Sequence, residues 1–392
     1  MHFEKEELKY LWKVYLAEFV RGIGAFMAPF IIIFLQNKSL TLPQIGILLG
    51  IVALTNLFLE IPTGIIADKY GRKFSAIVGF LVSYLAFFGM IFTNSFYVLM
   101  ILYFLHGVGF TFTSGAYDSW IYEYLKSNKK EKYMHDFYSR KLSFSWFGLA
   151  ISGFIGGYLV GFLDLSWLIV IDTLFGIFFL YFIVQIPDPP IVQEKRYGFR
   201  TFLKTARQGL VLIKENKNLL LLTVASIFFT VAVGARELLY QVSYIELGTP
   251  LSFLGYIFGI GAITAGLVPA ILFGSSKRHS KRFIVIFAIL EMLLTCSIFF
   301  ASNYIILAVL LTLTFVCGTI ISPISDSIFQ HNSETGVRAT VMSIVNMLLS
   351  IVYSIVFLSF GLLADMYGAR VILAVSGFFI LPSIVCYCLI RE

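Results

Sequence analysis

The chain has 392 residues, of which 59% are hydrophobic and 13% are charged, and its mean hydropathy is +0.89. Soluble domains carry about 25% charged residues, so this composition excludes a soluble globular protein. The formal net charge of +7 is compatible with nucleic-acid binding only if the cations form one polar patch, and they are instead spread over many short loops.

Twelve long apolar segments follow one another along the chain. A membrane-spanning helix needs roughly 20 apolar residues, and lipid permits only helices or closed barrels to span. Because the segments do not alternate between polar and apolar residues, they predict an all-α membrane protein with twelve transmembrane helices. We number the predicted spans helix 1 to helix 12, at residues 12–36, 43–67, 74–93, 97–124, 140–163, 166–186, 219–244, 251–275, 282–302, 304–330, 337–363 and 368–390.

The N-terminal sequence and the cysteines argue against a leader and against a metal site. Charged residues 2–9 lead into helix 1 without a small-residue cleavage site, so we expect no cleaved signal peptide. The four cysteines, at positions 296, 317, 386 and 388, all lie in apolar segments and lack the usual spacing of zinc ligands. We therefore expect no metal and no other cofactor.

The distribution of Lys and Arg predicts the orientation in the membrane. If helix 1 starts inside, the inner loops and tails hold 25 of the 29 basic residues; Lys38 and Arg370 lie in outer loops, and Arg21 and Arg236 lie within spans. Cytoplasmic loops carry the excess of Lys and Arg in membrane proteins. Both termini are therefore predicted to be cytoplasmic, in the inner membrane, and no nucleic-acid partner is expected.

The longest polar segment, residues 187–218, divides the chain into two six-helix bundles, 1–186 and 219–392. Residues 199–213 place apolar residues at helical spacing between cations, which predicts a basic amphipathic helix on the inner leaflet. The bundles contain similar landmarks. Pro62 matches Pro269, Asp118 matches Asp326, and the glycines at 46 and 50 match those at 255 and 259, at offsets of 207 to 209. These matches predict duplicated, pseudo-symmetric halves.

A short charged loop joins helices 2 and 3, where residues 64–73 read G-I-I-A-D-K-Y-G-R-K. This loop resembles the signature loop of the major facilitator superfamily, G-x-x-x-D-x-x-G-R-K, at all five defining positions: Gly64, Asp68, Gly71, Arg72 and Lys73. The resemblance implies a secondary active transporter that moves a small solute by alternating access. A similar stretch at 361–370 is predicted to face outward and to form a turn of similar shape, not a second gate.

The resemblance implies that helices 1, 4, 7 and 10 line a central cavity, and the charges near its inner end form a candidate gate. Asp118 and Asp326 are expected to pair with Arg72, Arg140 or Arg338, with Glu123 as a further acid, and Asp68 is expected to face the start of helix 11. The alternative is a static ion-pair network that only orients helices during folding. The candidate inner-gate residues are Gly64, Asp68, Gly71, Arg72, Lys73, Asp118, Glu123, Arg140, Asp326 and Arg338.

Four charged residues lie deeper in the spans. Glu18 and Arg21 are three residues apart on helix 1 and share a face. Arg236 and Glu237 are neighbours on helix 7, about 100° apart, so they cannot both face the cavity; we expect one of them to contact Arg21 or Glu18. Either Glu18 or Glu237 is a candidate for carrying the coupling proton. The alternative for Glu18 is a structural pair with Arg21.

Further polar residues complete the candidate substrate or proton site. Tyr117, Trp120 and Tyr240 lie on predicted cavity helices, and His106 on helix 4 is either a proton relay or a hydrogen-bond partner of a neighbour. Buried charges in membranes are costly, yet Asp172 on helix 6 and Glu291 on helix 9 receive no function from the sequence. The full set is Glu18, Arg21, His106, Tyr117, Trp120, Arg236, Glu237 and Tyr240.

Helix 5 contains S-G-F-I-G-G at residues 152–157. It partly resembles the G-P-x-x-G-G motif of proton-coupled drug exporters, with Ser152 replacing the first glycine and Gly153 the proline. Where those exporters tend to carry an arginine and a glutamine in helix 4, this chain has Tyr103 and His106. Small residues let membrane helices approach closely, and the predicted packing residues are Gly148, Gly153, Gly156, Gly157 and Gly161.

We therefore predict a proton-coupled exporter, an antiporter of small amphipathic compounds. The first alternative is an importer of a nutrient or metal chelate on the same fold. A non-transporting membrane enzyme or sensor is a remote alternative, because no H-E-x-x-H, G-x-S-x-G or nucleotide-binding loop is present. The expected partners are a small-molecule substrate, protons and membrane lipids, and the expected state is a monomer. The sequence decides neither the substrate, the direction and the coupling ion nor which of Arg236 and Glu237 faces the cavity.

Overall fold

The computed structural model describes residues 4–189, 209–273, 281–332 and 338–390. Across these residues the regular structure is helical and contains no β-strand. Eleven helices are long and apolar enough to cross a membrane, and they correspond to helices 2 to 12. These findings confirm an all-helical membrane protein.

The helix bounds follow the predicted segments closely. Helix 1 comprises Lys5–Ile23 and Ile31–Asn37, helix 2 is Leu42–Tyr70, helix 3 is Arg72–Gly89, helix 4 comprises Phe96–Thr113 and Ala116–Ser127, helix 5 is Met134–Leu159 and helix 6 is Leu165–Val184. Helix 7 is Lys217–Glu246, helix 8 is Leu251–Phe273, helix 9 is Lys281–Ser297, helix 10 is Tyr304–Asn332, helix 11 is Arg338–Tyr367, and helix 12 comprises Ala369–Ser376 and Ile380–Leu389.

Two predicted spans are interrupted. Helix 1 stops at Ile23 and resumes at Ile31, and the intervening residues 24–30 form turns. That segment contains Gly24, which favours non-helical backbone, and Pro29, which has no N–H to donate. Helix 4 breaks at residues 114–115, where Gly115 has φ +71°. Hydropathy alone predicted both spans as continuous because the breaks remain apolar.

The loop between helices 2 and 3 and the loop between helices 11 and 12 have the same shape. Gly71 has φ +102° and Gly368 has φ +90°, a region that favours glycine. Gly71 donates to the Ala67 carbonyl and Gly368 to the Ala364 carbonyl, each at 2.9 Å. Each next helix begins one residue later. The prediction of a similarly shaped turn at 361–370 is confirmed.

The helices form two compact units. The first unit comprises Met1–Phe34, Phe58–Tyr197 and Leu251–Gly266, and the second comprises Leu35–Leu57, Gly198–Pro250 and Leu267–Glu392. The core of the first unit contains Tyr15, Trp120, Phe137 and Phe179, all nearly inaccessible. The core of the second unit is built around aliphatic residues of helices 7, 9, 10, 11 and 12. The predicted amphipathic helix lies mostly outside the described residues.

The glycines matched between the halves serve the same kind of contact. In the second unit, a Cβ on Gly46 would lie 2.1 Å from the Phe357 carbonyl oxygen, so helices 2 and 11 touch backbone to backbone. In the first unit, a Cβ on Gly255 would lie 2.5 Å from the Gly157 Cα, so helices 8 and 5 touch in the same way. Small residues at both crossings allow this approach.

Candidate functional site

The signature loop carries an ion-pair group within the first unit. Arg72 Nε lies 3.2 Å from Glu123 Oε1, and Arg72 Nη2 lies 3.9 Å from Asp68 Oδ1. Lys73 Nζ donates to the carbonyls of Val184 and Ile186 at 2.9 Å and 2.7 Å, at the end of helix 6. The predicted Arg72–Glu123 association is therefore present, and the loop cations bind groups of their own unit.

Asp118 does not pair with Arg72 or Arg140. Its carboxylate accepts a hydrogen bond from Lys141 of helix 5. Arg140, one residue earlier, instead pairs with the fully buried Glu7 of helix 1. Neighbours on a helix point about 100° apart, so Lys141 faces helix 4 while Arg140 faces helix 1. Of the three arginines expected as partners of Asp118, Arg72 and Arg140 are therefore wrong, and the side chain of Arg338 lies outside the described residues.

The start of helix 1 is tied to the connection between helices 4 and 5, which the sequence did not indicate. Lys130 donates to Glu6, and the Tyr133 hydroxyl donates to Glu4 at 2.7 Å and to Glu6 at 3.1 Å. The Tyr133 hydrogen bond holds the pKa of Glu4 below its usual range, and the Lys130 hydrogen bond does the same for Glu6. These exposed groups lie outside the spans.

The second-unit part of the predicted gate is only partly described. Asp326 is exposed on helix 10 and has no ion-pair partner among the described side chains. Arg338 begins helix 11, but its side chain lies outside the described residues. A Cβ on Gly64 would meet nothing within 4 Å. Pairing across an inner gate stays a prediction.

Glu18 and Arg21 form a pair in helix 1, as their spacing predicted. Arg21 Nη2 and Nε lie 2.7 Å and 3.0 Å from Glu18 Oε2, and Arg21 Nη2 lies 3.5 Å from Ser145 Oγ of helix 5. The Glu18 side chain is fully buried, and that of Arg21 is 38% exposed. Among the residues that the structure describes, the second Glu18 oxygen, Oε1, and the buried Tyr117 hydroxyl lack a hydrogen bond of normal length.

Arg236 pairs with Glu291, the helix 9 carboxylate to which the sequence assigned no function. Arg236 Nη1 lies 2.9 Å from Glu291 Oε1, and Glu291 is fully buried. Gly318 of helix 10 lies beside the pair, where a Cβ would stand at ordinary contact distance, 3.5 Å from Arg236 Nη2. Arg236 is thus neutralised inside the second unit. The expected contact of Arg236 or Glu237 with Arg21 or Glu18 would join the two units and stays a prediction.

Glu237 points elsewhere and remains open. Its side chain is exposed and has no ion pair within the described part of the chain. Tyr240, one turn later, is half-buried, and its hydroxyl accepts a hydrogen bond from Gln241 at 3.0 Å. On helix 7, Arg236 is thus paired and Glu237 is not. The sequence alone did not indicate which of the two side chains is available to a ligand.

Three other candidates lie in packed surroundings. Tyr117 and Trp120 are 5% and 0% exposed, and Trp120 Nε1 donates to the Pro187 carbonyl at 3.3 Å. Both therefore pack in the core of the first unit. His106 Nδ1 is hydrogen-bonded to Ser83 Oγ at 2.8 Å, which is the neighbour contact expected of a structural histidine.

The helix 5 glycines pack closely against other helices. A Cβ would lie 2.7 Å from the Ile23 nitrogen at Gly148, 2.6 Å from the Gly259 nitrogen at Gly153, and 2.5 Å from the Ser252 carbonyl at Gly157. At Gly156 the nearest atom is the Phe26 carbonyl oxygen at 3.2 Å. Gly161 is looser, with its nearest contact at 3.3 Å inside its own turn.

The described residues contain no cluster of side chains that could bind a metal ion. Across the described ranges, with their gaps near 190–208, 274–280 and 333–337, no three His, Cys, Asp or Glu side chains lie together as metal ligands.

Spanning helices with ion pairs buried among them are the architecture of a polytopic membrane transport protein. The Major Facilitator Superfamily model matches residues 14–356. The chain therefore belongs to this superfamily of transporters, in agreement with the eleven candidate membrane spans in its described residues.

Relatives and solved structures agree with this assignment. The chain is 24% identical over 266 residues to the uncharacterized MFS-type transporter YxaM of Bacillus subtilis (strain 168), covering 67% of this chain and 65% of that protein, slightly less than two thirds of its length. It is 22% identical to the uncharacterized MFS-type transporter MJ1560 of Methanocaldococcus jannaschii, over 97% of each chain. The nucleoside transporter NupG shares the fold, with a TM-score of 0.77 at 14% identity over 97% of this chain and 98% of that one.

Proposed function

We propose that the chain is a proton-coupled exporter of small amphipathic cations, and that Glu237 is the carboxylate for which substrate and proton compete. The supporting observation is the charge balance of the spans. Arg21 is paired with Glu18 and Arg236 with Glu291, whereas Glu237 is exposed and has no ion pair in the described residues. The charge left open to a ligand is therefore negative.

An open carboxylate within a span has two natural partners, a proton and an organic cation. Only one of them occupies it at a time, so each lowers the affinity of the site for the other. Release of the cation outside, followed by protonation and return of the proton-loaded carrier, constitutes antiport. The half-buried Tyr240 on the next turn offers an aromatic face for an amphipathic cation.

The Arg72, Glu123 and Asp68 group fits an inner gate in this scheme. Arg72 is three-quarters buried and lies closer to Glu123 than to Asp68, and Asp68 is 62% exposed. Asp68 therefore remains available for a partner that changes during transport. The scheme places the chain in the inner membrane as a monomer, with both termini cytoplasmic.

Import of a neutral polar solute is the second candidate, and the nucleoside transporter NupG, which shares the fold, provides an example of such a solute. In that case the half-buried Tyr240 would hydrogen-bond a neutral polar solute such as a nucleoside, and Glu237 would carry a co-transported proton. The first candidate predicts that inward proton flow drives the solute out of the cell, and the second predicts that it drives the solute into the cell.

Efflux of a fluorescent lipophilic cation from energised cells separates these candidates. Cells expressing the wild type are expected to lose the dye faster than empty cells, and a protonophore is expected to abolish the difference. Glu237→Gln is expected to remove this efflux, whereas Glu131→Gln, an exposed carboxylate outside the spans, retains it. The same efflux measurement on Asp68→Asn tests the proposed gate. On Glu18→Gln it tests whether the Glu18–Arg21 pair in helix 1 is needed for transport.

Two outcomes contradict the proposal. Dye loss equal to that of empty cells removes cation export, and protonophore-sensitive uptake of radiolabelled nucleoside then establishes the import candidate. Full efflux by Glu237→Gln places the coupling carboxylate elsewhere.

A further inference from the structure

The interruption of helix 1 is held by a carboxylate to which neither the sequence nor the proposed transport scheme assigns a task. We propose that Asp172 of helix 6 is a positioning residue: its carboxylate binds the interrupted backbone of helix 1 and thereby fixes where the Glu18–Arg21 pair stands. The inference does not depend on the substrate or on the direction of transport.

The interruption creates a backbone problem within the membrane. Where a helix stops, several backbone N–H groups lose their partners, and in lipid each unsatisfied group costs several kcal/mol. Non-helical backbone at this depth is tolerated only where protein groups satisfy it. Residues 24–30 therefore need acceptors from other helices.

Asp172 supplies two of these acceptors. Its Oδ1 accepts from the Phe26 N–H at 2.8 Å, and its Oδ2 accepts from the Met27 N–H at 3.1 Å. The side chain is 6% exposed, and no cation pairs with it among the described residues. Both oxygens are engaged by consecutive amides, which is the geometry of a backbone clamp and not of an open ligand site.

Local packing brings helix 6 to this point. A Cβ on Gly24 would lie 2.4 Å from the Phe175 Cβ, so only glycine lets helix 6 approach so closely. The Phe26 and Phe175 rings also meet edge to face, with centroids 5.6 Å apart. Asp172 and Phe175 are one turn apart and share a face, so the contact that seats Phe175 also presents the carboxylate.

Helix 5 closes the other side of the interruption. Ser152 Oγ lies 3.4 Å from the Ala25 carbonyl oxygen. A Cβ on Gly156 would lie 3.2 Å from the Phe26 carbonyl oxygen. The interrupted segment is therefore held between helices 5 and 6. Arg21 lies five residues before Phe26 and touches Ser145, so a shift of the segment would move Arg21 along helix 5.

Hydrogen exchange of the purified protein in lipid nanodiscs tests the clamp. Asp172→Asn keeps one acceptor oxygen but turns an NH₂ group toward an amide donor, so the Phe26 and Met27 amides are expected to exchange about ten- to a hundredfold faster. Gly24→Ala keeps the Asp172 side chain but forces Phe175, and with it helix 6, away from helix 1. The carboxylate then moves off the Phe26 and Met27 amides, so faster exchange is expected there. Thr173→Val is the matched control, because the Thr173 hydroxyl donates within its own helix.

A second readout tests positioning itself. Cysteine is placed at position 145 after the four native cysteines are replaced by serine, and its alkylation rate is measured with a small maleimide. Displacement of Arg21 in Asp172→Asn is expected to change this rate severalfold relative to Thr173→Val.

Unchanged exchange at Phe26 and Met27 in Asp172→Asn overturns the clamp. Faster exchange with an unchanged alkylation rate overturns the positioning role. If Asp172→Asn does not fold, Gly24→Ala carries both measurements, and wild-type values in that variant overturn the proposal.

Discussion

Removal of Glu291 tests whether the buried pair on helices 7 and 9 neutralises Arg236. Glu291 is fully buried and Arg236 is 15% exposed, with 2.9 Å between Nη1 and Oε1. Breaking a buried pair by removing one partner costs about 3–5 kcal/mol, since the other charge stays buried. We expect Glu291→Ala to lower the free energy of unfolding by about that amount. Glu291→Gln retains a neutral acceptor, so we expect it to cost less, about 1–3 kcal/mol.

Equilibrium unfolding in mixed micelles provides the measurement. The single variants Arg236→Met and Glu291→Leu and their double variant form a cycle. The double variant is expected to recover most of the loss, because apolar residues of similar volume often replace a buried pair without net cost. Gly318→Ala is the control: its Cβ would sit at ordinary contact distance, 3.5 Å from Arg236 Nη2, so we expect near wild-type stability. A cost below about 1 kcal/mol for Glu291→Ala, or a cycle with no coupling, would refute the reasoning.

Three further predictions concern the first unit. Arg140→Leu leaves the fully buried Glu7 without its cation, so we expect a loss of about 3–5 kcal/mol in unfolding free energy, as for the other buried pair; unchanged stability contradicts this assignment. The Lys130 hydrogen bond lowers the pKa of Glu6. The contact therefore stabilises the start of helix 1 fully above the unfolded pKa of about 4.3, and this stabilisation is lost as pH falls through the lower, folded pKa. Proteolysis near the N-terminus is expected to rise below about pH 4, and Glu6→Gln is expected to abolish that rise. Gly157→Ala places a Cβ 2.5 Å from a helix 8 carbonyl and is expected to lower thermal stability, whereas Gly161→Ala is tolerated; equal effects would show that this crossing is not close-packed.

Local sequence signals predicted the parts of the fold that depend on neighbouring residues. Apolar length identified the spans, and Gly71 and Gly368 identified two turns of one shape because φ near +100° and +90° favours glycine. The pairing of Glu18 with Arg21 followed from helical spacing alone. Each of these features is decided within a few residues of chain.

The features that sequence reasoning missed depend on helix rotation or on distant helices. Choosing Lys141 over Arg140 as the partner of Asp118 requires knowing the rotation of helix 5 to within one residue. The Arg236–Glu291 pair joins residues 55 positions apart, and Glu291 lies on helix 9, which is not one of the four helices that the family resemblance assigns to the cavity.

The break in helix 1 is indicated by helix-breaking residues, which a hydropathy profile does not take into account. Glycine at 22 and 24 and proline at 29 punctuate the segment. Its acceptor on helix 6 lies 146 residues away along the chain, so the sequence shows a buried aspartate without showing what it binds.

Transport by purified protein in proteoliposomes tests the central claim most directly. Vesicles are loaded with a pH-sensitive dye, a proton gradient is imposed, and uptake of tetraphenylphosphonium is measured together with proton movement. The account predicts that wild type accumulates the cation against its gradient while protons move the opposite way, and that Glu237→Gln does neither. Cation movement that leaves the proton gradient unchanged, or full exchange by Glu237→Gln, would contradict the account.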